Sequence, residues 1–400
     1  MRDVAHQAAG AHALGLAAWN YNMLHRFAEN ITAERGWCSL WEIDKFNRPC
    51  PADYRDDSYF WYNFPGNFDI LACCFRQYLW TADPRYLNDP AFRFFYAKSV
   101  NEYVHHWDLD RDGLMEHYPH YGFRGIATYN EEVDDPKMGL DLLAAQSAAY
   151  TVYAHMLALE NRPQDAAGYL AKAAALKSHI LEDWWDAENR RFFGFLSQAG
   201  ETLPDPGGLG NLFALYFDLL DSPEQAGWVL DHLIVLEPRL NVESRSYFPE
   251  VLFHRGRSQA AVRVLGALFD PALPRREYPE LSYALIGALC SGLMGVQADA
   301  RERTVHTLPG LPSEAGWAEM GCIPVFEGQV TVRHAGQSQT ILTAGAGRPF
   351  FWRAAFPGRF DALEVDGKRF PAEQQTTPAG VESSALIRVA SGETHTARVR

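Results

Sequence analysis

Two kinds of helix alternate along the first three quarters of this chain, and the alternation limits what it can fold into. One kind is apolar nearly all round. Over 138–159, Met138, Leu142, Ala145, Ala149, Val152, Met156 and Leu159 form a stripe at spacings of four and three. Leu140, Leu143, Ala144 and Ala154 make most of the opposite face apolar too. Such a helix must be covered on several sides. The stretch 279–294 behaves in the same way. The other kind is amphipathic. Over 164–184, Ala166, Leu170, Ala173, Leu176, Ile180 and Trp184 share one stripe, with Lys172 and Glu182 off it, which leaves one wet face.

The pattern predicts inner helices starting near Phe64, Met138, Gly208, Tyr247 and Pro279. Outer helices are expected near Ala91, Gln164, Pro223 and Ser258, with a first helix over 3–30 standing ahead of the series. An inner ring sheathed by an outer ring explains both burial patterns, so the expected class is mainly α, a toroid of helical hairpins of the (α/α)6 type. A linear solenoid would also alternate, but with repeats of similar length and sequence, which this chain lacks. Five pairs are clear; a six-pair ring needs a further helix from the N-terminus, or a chain that has lost its first element. Connections ahead of the inner helices are long and those ahead of the outer ones short. Long loops gathered at one end of a ring make a binding surface.

Composition changes at Asp299–Arg303, and alternation in 329–333 and 339–342 with turns at 344–347 and Gly358 predicts a small antiparallel β-sandwich. The expected domains are a catalytic toroid over 1–300 and a β domain over 301–400. The net charge of −14 excludes a nucleic-acid partner, whose phosphates need a basic face, but not a neutral carbohydrate. The six cysteines (Cys38, Cys50, Cys73, Cys74, Cys290 and Cys322) make no C-x-x-C motif. They are expected as free thiols in a reducing compartment, which together with the lack of a signal-peptide pattern points to the cytoplasm. No run of 18 apolar residues is present, so no membrane span is expected.

The richest segment for chemistry is 107–141. Asp108, Asp110, Asp112 and Gly113 open like a calcium loop, but position 12 would be Pro119. The two readings are a tight turn held by Asp side chains, with Gly113 at positive φ, and a partial calcium site. No other cofactor is expected. Further on, Glu131, Glu132, Asp134 and Asp135 crowd four carboxylates into five residues. Asp135-Pro136 reads as N-cap and first helical residue. Glu131 and Glu132 stand in the loop itself, where like charges push one carboxyl pKa upward, as a general acid needs. A complementary base is expected on another loop. Glu280 falls in the first turn of a helix that opens at Pro279, near Arg275 and Arg276, so dipole and arginines favour its ionised form. Glu277 is the alternate, followed by Glu243 and Glu250. An inverting pair stands roughly 6.5–9.5 Å apart to admit water.

One long connection carries Trp37, Trp41, Tyr54, Tyr59, Phe60, Trp61 and Tyr62 interleaved with Asp53, Arg55, Asp56, Asp57 and Asn63. Rings for C–H faces and short polar groups for hydroxyls suit a sugar subsite; the same rings could instead staple the loop to the helices. The sugar-binding set expected from this is Trp37, Trp41, Asp57, Trp61, Tyr62 and Asn63, joined by His117, Tyr129 and Arg276.

At these residues the chain resembles the six-hairpin, (α/α)6-barrel glycosidases. Asp108-Leu-Asp-Arg-Asp-Gly-Leu-Met-Glu116 is similar to the D-x-D-G-D-G-L-P-E run of trehalase- and glucosidase-like members, with Met115 in place of Pro. Tyr129-Asn-Glu-Glu-Val133 resembles the W-E-E-V acid loop of the glucoamylase-like family, with Asn130 where Trp is usual. That resemblance implies Glu131 as general acid. Trp185-Asp-Ala-Glu-Asn-Arg-Arg-Phe-Phe193 follows the W-D-E-x-x-G-x-F rhythm, and the C-terminal β piece is reminiscent of rhamnosidase-like members. The base motif has no counterpart, so Glu280 rests on its position alone. The expected activity is an inverting, exo-acting glycoside hydrolase on a small glycoside or oligosaccharide. The alternatives are a sugar epimerase or isomerase using His105, His106, His117 or His120, a lyase, and a non-catalytic carbohydrate-binding protein.

Overall fold

A computed structural model describes residues 1–117, 125–131, 133 and 136–399. The chain forms two compact units. The first takes Met1–Ala5, Tyr21–Phe75 and Arg85–Arg239; the second takes His6–Asn20, Arg76–Pro84 and Leu240–Arg400.

The N-terminal helical stretch is two helices, α1 (Arg2–Ala13) and α2 (Ala17–Glu29), rather than one. The break comes where Gly15 donates to His12 O at 2.8 Å and Leu16 to Ala11 O at 2.9 Å, closing α1. The next helices are α3 (Gly66–Thr81), α4 (Arg85–Asn88), α5 (Pro90–Val100) and α6 (Glu102–Trp107). They are followed by α7 (Leu140–Leu159), α8 (Pro163–Asp183), α9 (Leu209–Tyr216) and α10 (Pro223–Leu236). In the first unit α7 packs against α5, α8 and α9. Thirteen of its twenty residues are buried, which is the all-round coverage its apolar faces predict. Its partner α8 buries Ala166, Ala173, Leu176 and Ile180 and turns Lys172 outward.

The start of α7 differs from the expectation. Met138–Gly139 are extended, forming β3 against Phe195–Leu196 (β6), and the N-cap is Gly139. Pro136 therefore precedes the helix and is not its first residue. The backbone of Met138–Gly139 is drawn into the sheet instead; Asp135 itself lies outside the described residues. The other short strands are β1 (Tyr54–Asp56), β2 (Tyr59–Phe60), β4 (Trp185–Asp186), β5 (Arg191–Phe192) and β7 (Thr202–Leu203).

The second unit holds α11 (Val242–Ser246), α12 (Phe248–His254), α13 (Ser258–Leu268) and α14 (Glu280–Ala288), which runs on into a π-turn at Leu289–Leu293. The stretch from 279 to 294 is thus a short α-helix with a wound end. Eleven further strands begin with β8 (Val296–Asp299), β9 (Thr304–Thr307), β10 (Trp317–Val325), β11 (Gly328–Ala335) and β12 (Gln339–Ala344). They end with β13 (Phe350–Pro357), β14 (Ala362–Val365), β15 (Lys368–Pro371), β16 (Glu373–Thr377), β17 (Gly380–Val389) and β18 (Thr394–Arg398). Two sheets result, ordered β10-β11-β12-β18-β14-β15 and β16-β17-β13-β9-β8. Val330, Val332 and Leu342 of one and Val305, Trp352 and Ile387 of the other share a single core. All pairings in these sheets are antiparallel except β9 with β13, which is parallel.

Two helices of this unit approach almost backbone to backbone. A Cβ added at Gly10 of α1 would lie 1.6 Å from the Tyr283 carbonyl oxygen of α14. Only glycine fits there. Gly10→Ala is expected to lower stability by about 1–3 kcal/mol, as an overpacked contact does, read as a drop in calorimetric Tm; an unchanged Tm would contradict the close approach.

Candidate active site

The first unit gathers the acid loop and the aromatic connection. Strands β1 and β2 make a hairpin with Tyr54 opposite Phe60, and Asp56 accepts from the Ser58 N–H at 2.9 Å across its turn. The chain then runs beside the segment leading to Glu131. The Ile126 N–H donates to Tyr62 O at 2.9 Å and the Phe64 N–H to Ile126 O at 3.0 Å. This ladder brings Asn63 next to the acid loop, where its Nδ2 donates to Glu131 Oε1 at 3.1 Å. Asn63 is wholly buried, whereas Glu131 is exposed. A rigid, buried amide therefore aims an exposed carboxyl group.

The base of the loop hangs on a second carboxyl. Asp141, in the first turn of α7, accepts through Oδ2 from the Thr128 hydroxyl at 2.7 Å and the Tyr129 N–H at 2.8 Å, and through Oδ1 from the Leu142 N–H at 2.8 Å. The Gly139 N–H adds a bond to Ala127 O at 2.8 Å. Burial outweighs these donors and pushes Asp141 up to about 6. Asp205, also buried, is raised for the same reason and holds the Asn211 N–H and Nδ2, each at 2.9 Å. Sequence reasoning passed over both. The available signal was a charged residue in the first turn of a helix otherwise apolar all round.

Tyr129 stacks on Phe213 with ring centres 4.1 Å apart, and its hydroxyl donates to Asp69. Its carbonyl accepts from Arg2 Nη1 at 2.9 Å. Tyr62 is buried, with its ring edge-on to Trp41 at 6.0 Å and its hydroxyl bonded to Asn67. Trp41 and Trp61 remain half-buried. Asp53 is crowded by Glu42 and Cys50. Burial first, then the charge of Glu42 and a hydrogen bond with it, and next the charge of Glu131, raise Asp53 to about 6.

Several expected ligands of a sugar are engaged elsewhere. The Trp37 ring lies against Phe94 at 6.2 Å, with the Lys98 ammonium 4.6 Å above it, so it fastens the loop to α5. Asp57 accepts from the Tyr54 hydroxyl at 2.7 Å and Arg35 Nη1 at 2.6 Å, which hold it below the usual carboxylate range. His117 is buried with its ring centre 6.0 Å from that of Phe64, its backbone N–H donating to Lys137 O and its carbonyl accepting from Gln198. Those contacts give all three a structural occupation. Glu132, like His120, lies outside the described residues.

The second unit carries Glu280, Glu277 and Arg276. Glu280 opens α14 behind Pro279 and is 5% exposed, while Glu277 is exposed and Arg276 half-buried. The neighbouring Arg275 pairs with Glu243 at 3.1 Å and stacks over Tyr278 at 4.0 Å.

Asp108, Asp110 and Asp112 place one oxygen each within 4.8 Å of one another, a spacing that could hold a cation. Their oxygens also accept from backbone: Asp108 from Asp112 and Gly113 at 3.0 Å each, and Asp112 from Leu114 at 2.8 Å. Gly113 has φ +93, the left-handed turn that the motif predicts. Lys137 pairs with Glu116 and lies 3.5 Å from Asp110, supplying positive charge on the spot.

No protein-family model and no curated protein matches the sequence. Solved structures match over the whole chain. It is similar to an α-L-rhamnosidase from Dictyoglumus thermophilum at 13% identity and a TM-score of 0.64, covering 100% of this chain and 46% of that one. It is also similar to an α-L-rhamnosidase from Aspergillus terreus at 13% identity and a TM-score of 0.56, covering 96% and 45%. A putative kojibiose phosphorylase from human microbiome matches at 11% identity and a TM-score of 0.53, covering 94% and 57%. The chain thus spans less than half the length of the rhamnosidases it resembles. The likeness is one of fold, helices followed by antiparallel sheets as in these solved structures. No described helix is long and apolar enough to cross a membrane, and none of the six cysteines is joined in a disulfide among the described residues.

The raised Asp141 has a thermodynamic consequence. Its folded pKa of about 6 stands above the unfolded value of about 3.9, so the folded state binds the proton more tightly. Its contribution is full below pH 4 and is lost as pH rises towards 6, about 3 kcal/mol in all. Denaturant melts between pH 4 and 7 should show that slope in the native chain and a much shallower one in Asp141→Asn. Equal slopes would refute the assignment.

Proposed function

We propose that the chain is a glycoside hydrolase, inverting and exo-acting on a small glycoside or oligosaccharide, with its helices closed into an (α/α)6 toroid. The observation that carries this is the bond from buried Asn63 to exposed Glu131, at the end of a connection lined by half-buried indoles. A general acid must be held still while its proton side faces the ligand, and a buried amide donor does that. The fold it shares with rhamnosidases supports the reaction class.

In this reading Glu131 gives its proton to the glycosidic oxygen as the C–O bond breaks. An inverting reaction also needs a base that takes a proton from the water attacking the anomeric carbon, and Glu280 is the carboxyl proposed for it. Glu132 and Glu277 are the alternates. Trp41 and Trp61, both half-buried, offer the flat faces a pyranose stacks on, whereas Tyr62 is wholly buried and serves the scaffold. Free thiols suit a reducing compartment such as the cytoplasm.

The test is a panel of 4-nitrophenyl glycosides that includes the α-L-rhamnoside and α-D-glucoside, assayed with and without inorganic phosphate. NMR of the first-released sugar should show the inverted anomer. Glu131→Gln and Glu280→Gln should each lower kcat by about 10²–10⁴-fold. Full activity in Glu131→Gln would end the assignment. Product formed only with phosphate would make the enzyme a phosphorylase.

A further inference from the structure

At the end of α7 away from the acid loop, the first unit holds a cavity that the proposed reaction does not use. Tyr153, Met156, Leu157 and Glu160 stand at i, i+3, i+4 and i+7, a stripe that runs off the end of α7, and line it together with Arg93 and Phe94 of α5. Asp141 and Leu157 are sixteen residues apart on this helix, so about 24 Å of helix separates the cavity from the base of the acid loop. Its volume is about 240 Å³. One water needs only roughly 10–15 Å³, so the space admits an organic ring.

Floor and rim differ in chemistry. Met156 and Leu157 are buried and apolar, and Tyr153 is half-buried with its ring held edge-on to Tyr169 at 4.8 Å. Phe94 is 48% exposed, a large ring that the fold leaves partly uncovered. The rim is cationic. Arg93 and Arg162 both line the cavity and both pair with Glu160, Arg93 through Nε at 3.3 Å and Arg162 through Nη1 at 3.4 Å. Asp165 takes Nε of Arg162 at 2.8 Å. Among the described residues, nothing accepts a hydrogen bond from Nη1 or Nη2 of Arg93, and the Tyr153 hydroxyl has no hydrogen-bond partner. The lining thus sets two cations against one anion, in a chain whose net charge is −14. The open end of a guanidinium carries two parallel donors, which match the two oxygens of a carboxylate. A neutral sugar fits less well, because Met156 and Leu157 offer its hydroxyls no partner.

We infer that this cavity is a second ligand site, one for a small aromatic monocarboxylate, whose ring packs on Phe94, Tyr153 and Met156 while its carboxylate accepts from the two Nη groups of Arg93. The Tyr153 hydroxyl is a further donor. This site stands independently of the sugar chemistry at Glu131.

The experiment is titration of the full chain with sodium benzoate and sodium trans-cinnamate, with benzamide and cinnamamide as neutral counterparts of the same shape. Binding is read by calorimetry and by NMR of methyl-labelled methionines. At least one acid should bind, about tenfold or more tighter than its amide, and should shift the Met156 methyl signal, assigned through Met156→Leu. Arg93→Gln should weaken that acid about ten- to hundredfold, the loss expected when a hydrogen bond to a charged group is removed, and leave the amide unchanged. Arg93 is exposed, and its pair with Glu160 adds little to stability, so the variant keeps the fold. Acid and amide binding equally, acid binding that survives Arg93→Gln, or neither acid binding with a Kd under about 10 mM overturns the inference. An acid that binds without moving the Met156 signal sits elsewhere and overturns it as well. Displacement of the acid from Met156 by L-rhamnose would make the cavity a sugar subsite and overturn the ligand class.

Discussion

The arrangement of the first unit depends on one buried carboxyl group. Asp141 takes two donors from the loop at Thr128–Tyr129 and one from its own helix. Without it, the loop that ends in Glu131 would lose its link to the start of α7 through Thr128 and the Tyr129 N–H. The carboxyl tolerates full burial because three donors satisfy it and because a proton is held more readily there. A core acid and a surface acid, ten residues apart, thus have opposite tasks. One anchors and the other is presented.

The presentation itself is a matter of strand pairing. The short ladder between Tyr62–Phe64 and Ile126 sets Asn63 against Glu131. Side chains alternate along an extended segment. Tyr62 and Phe64 flank Asn63 there and are buried with it, Tyr62 against Trp41 and Phe64 against Trp107. The aromatic connection is therefore divided in use. Trp37 and Tyr54 are committed to Phe94, Lys98, Arg35 and Asp57 and hold the loop in place, while Trp41 and Trp61 keep open surface. The stapling reading applies to Trp37 and Tyr54, and the rings left with open surface are others in the same segment.

The aspartate turn at 108–113 holds its own backbone. Its oxygens cap backbone N–H groups, and Lys137 brings the neutralising charge. The missing twelfth-position carboxylate, replaced by Pro119, already separated this run from a full calcium loop.

Helix positions were legible in the sequence because burial on one side or on all sides leaves a periodic imprint. α5, α7, α8, α10 and α13 open within two residues of their expected starts. Strand alternation located the β region equally well. What could not be read were features made by partners distant in sequence: the extended start at Met138–Gly139, the parallel β9–β13 pair, the break between α1 and α2, and the Asn63–Glu131 and Asp53–Glu42 contacts. Local periodicity carries no information on which carboxyl meets which. The chain by itself determined that acids and rings would crowd two loops. Tertiary structure alone decided that Asp141 is buried, that Asp53 and Glu131 share a neighbourhood, and that Trp37 and Asp57 hold the scaffold, because burial and pairing depend on what the rest of the fold brings alongside.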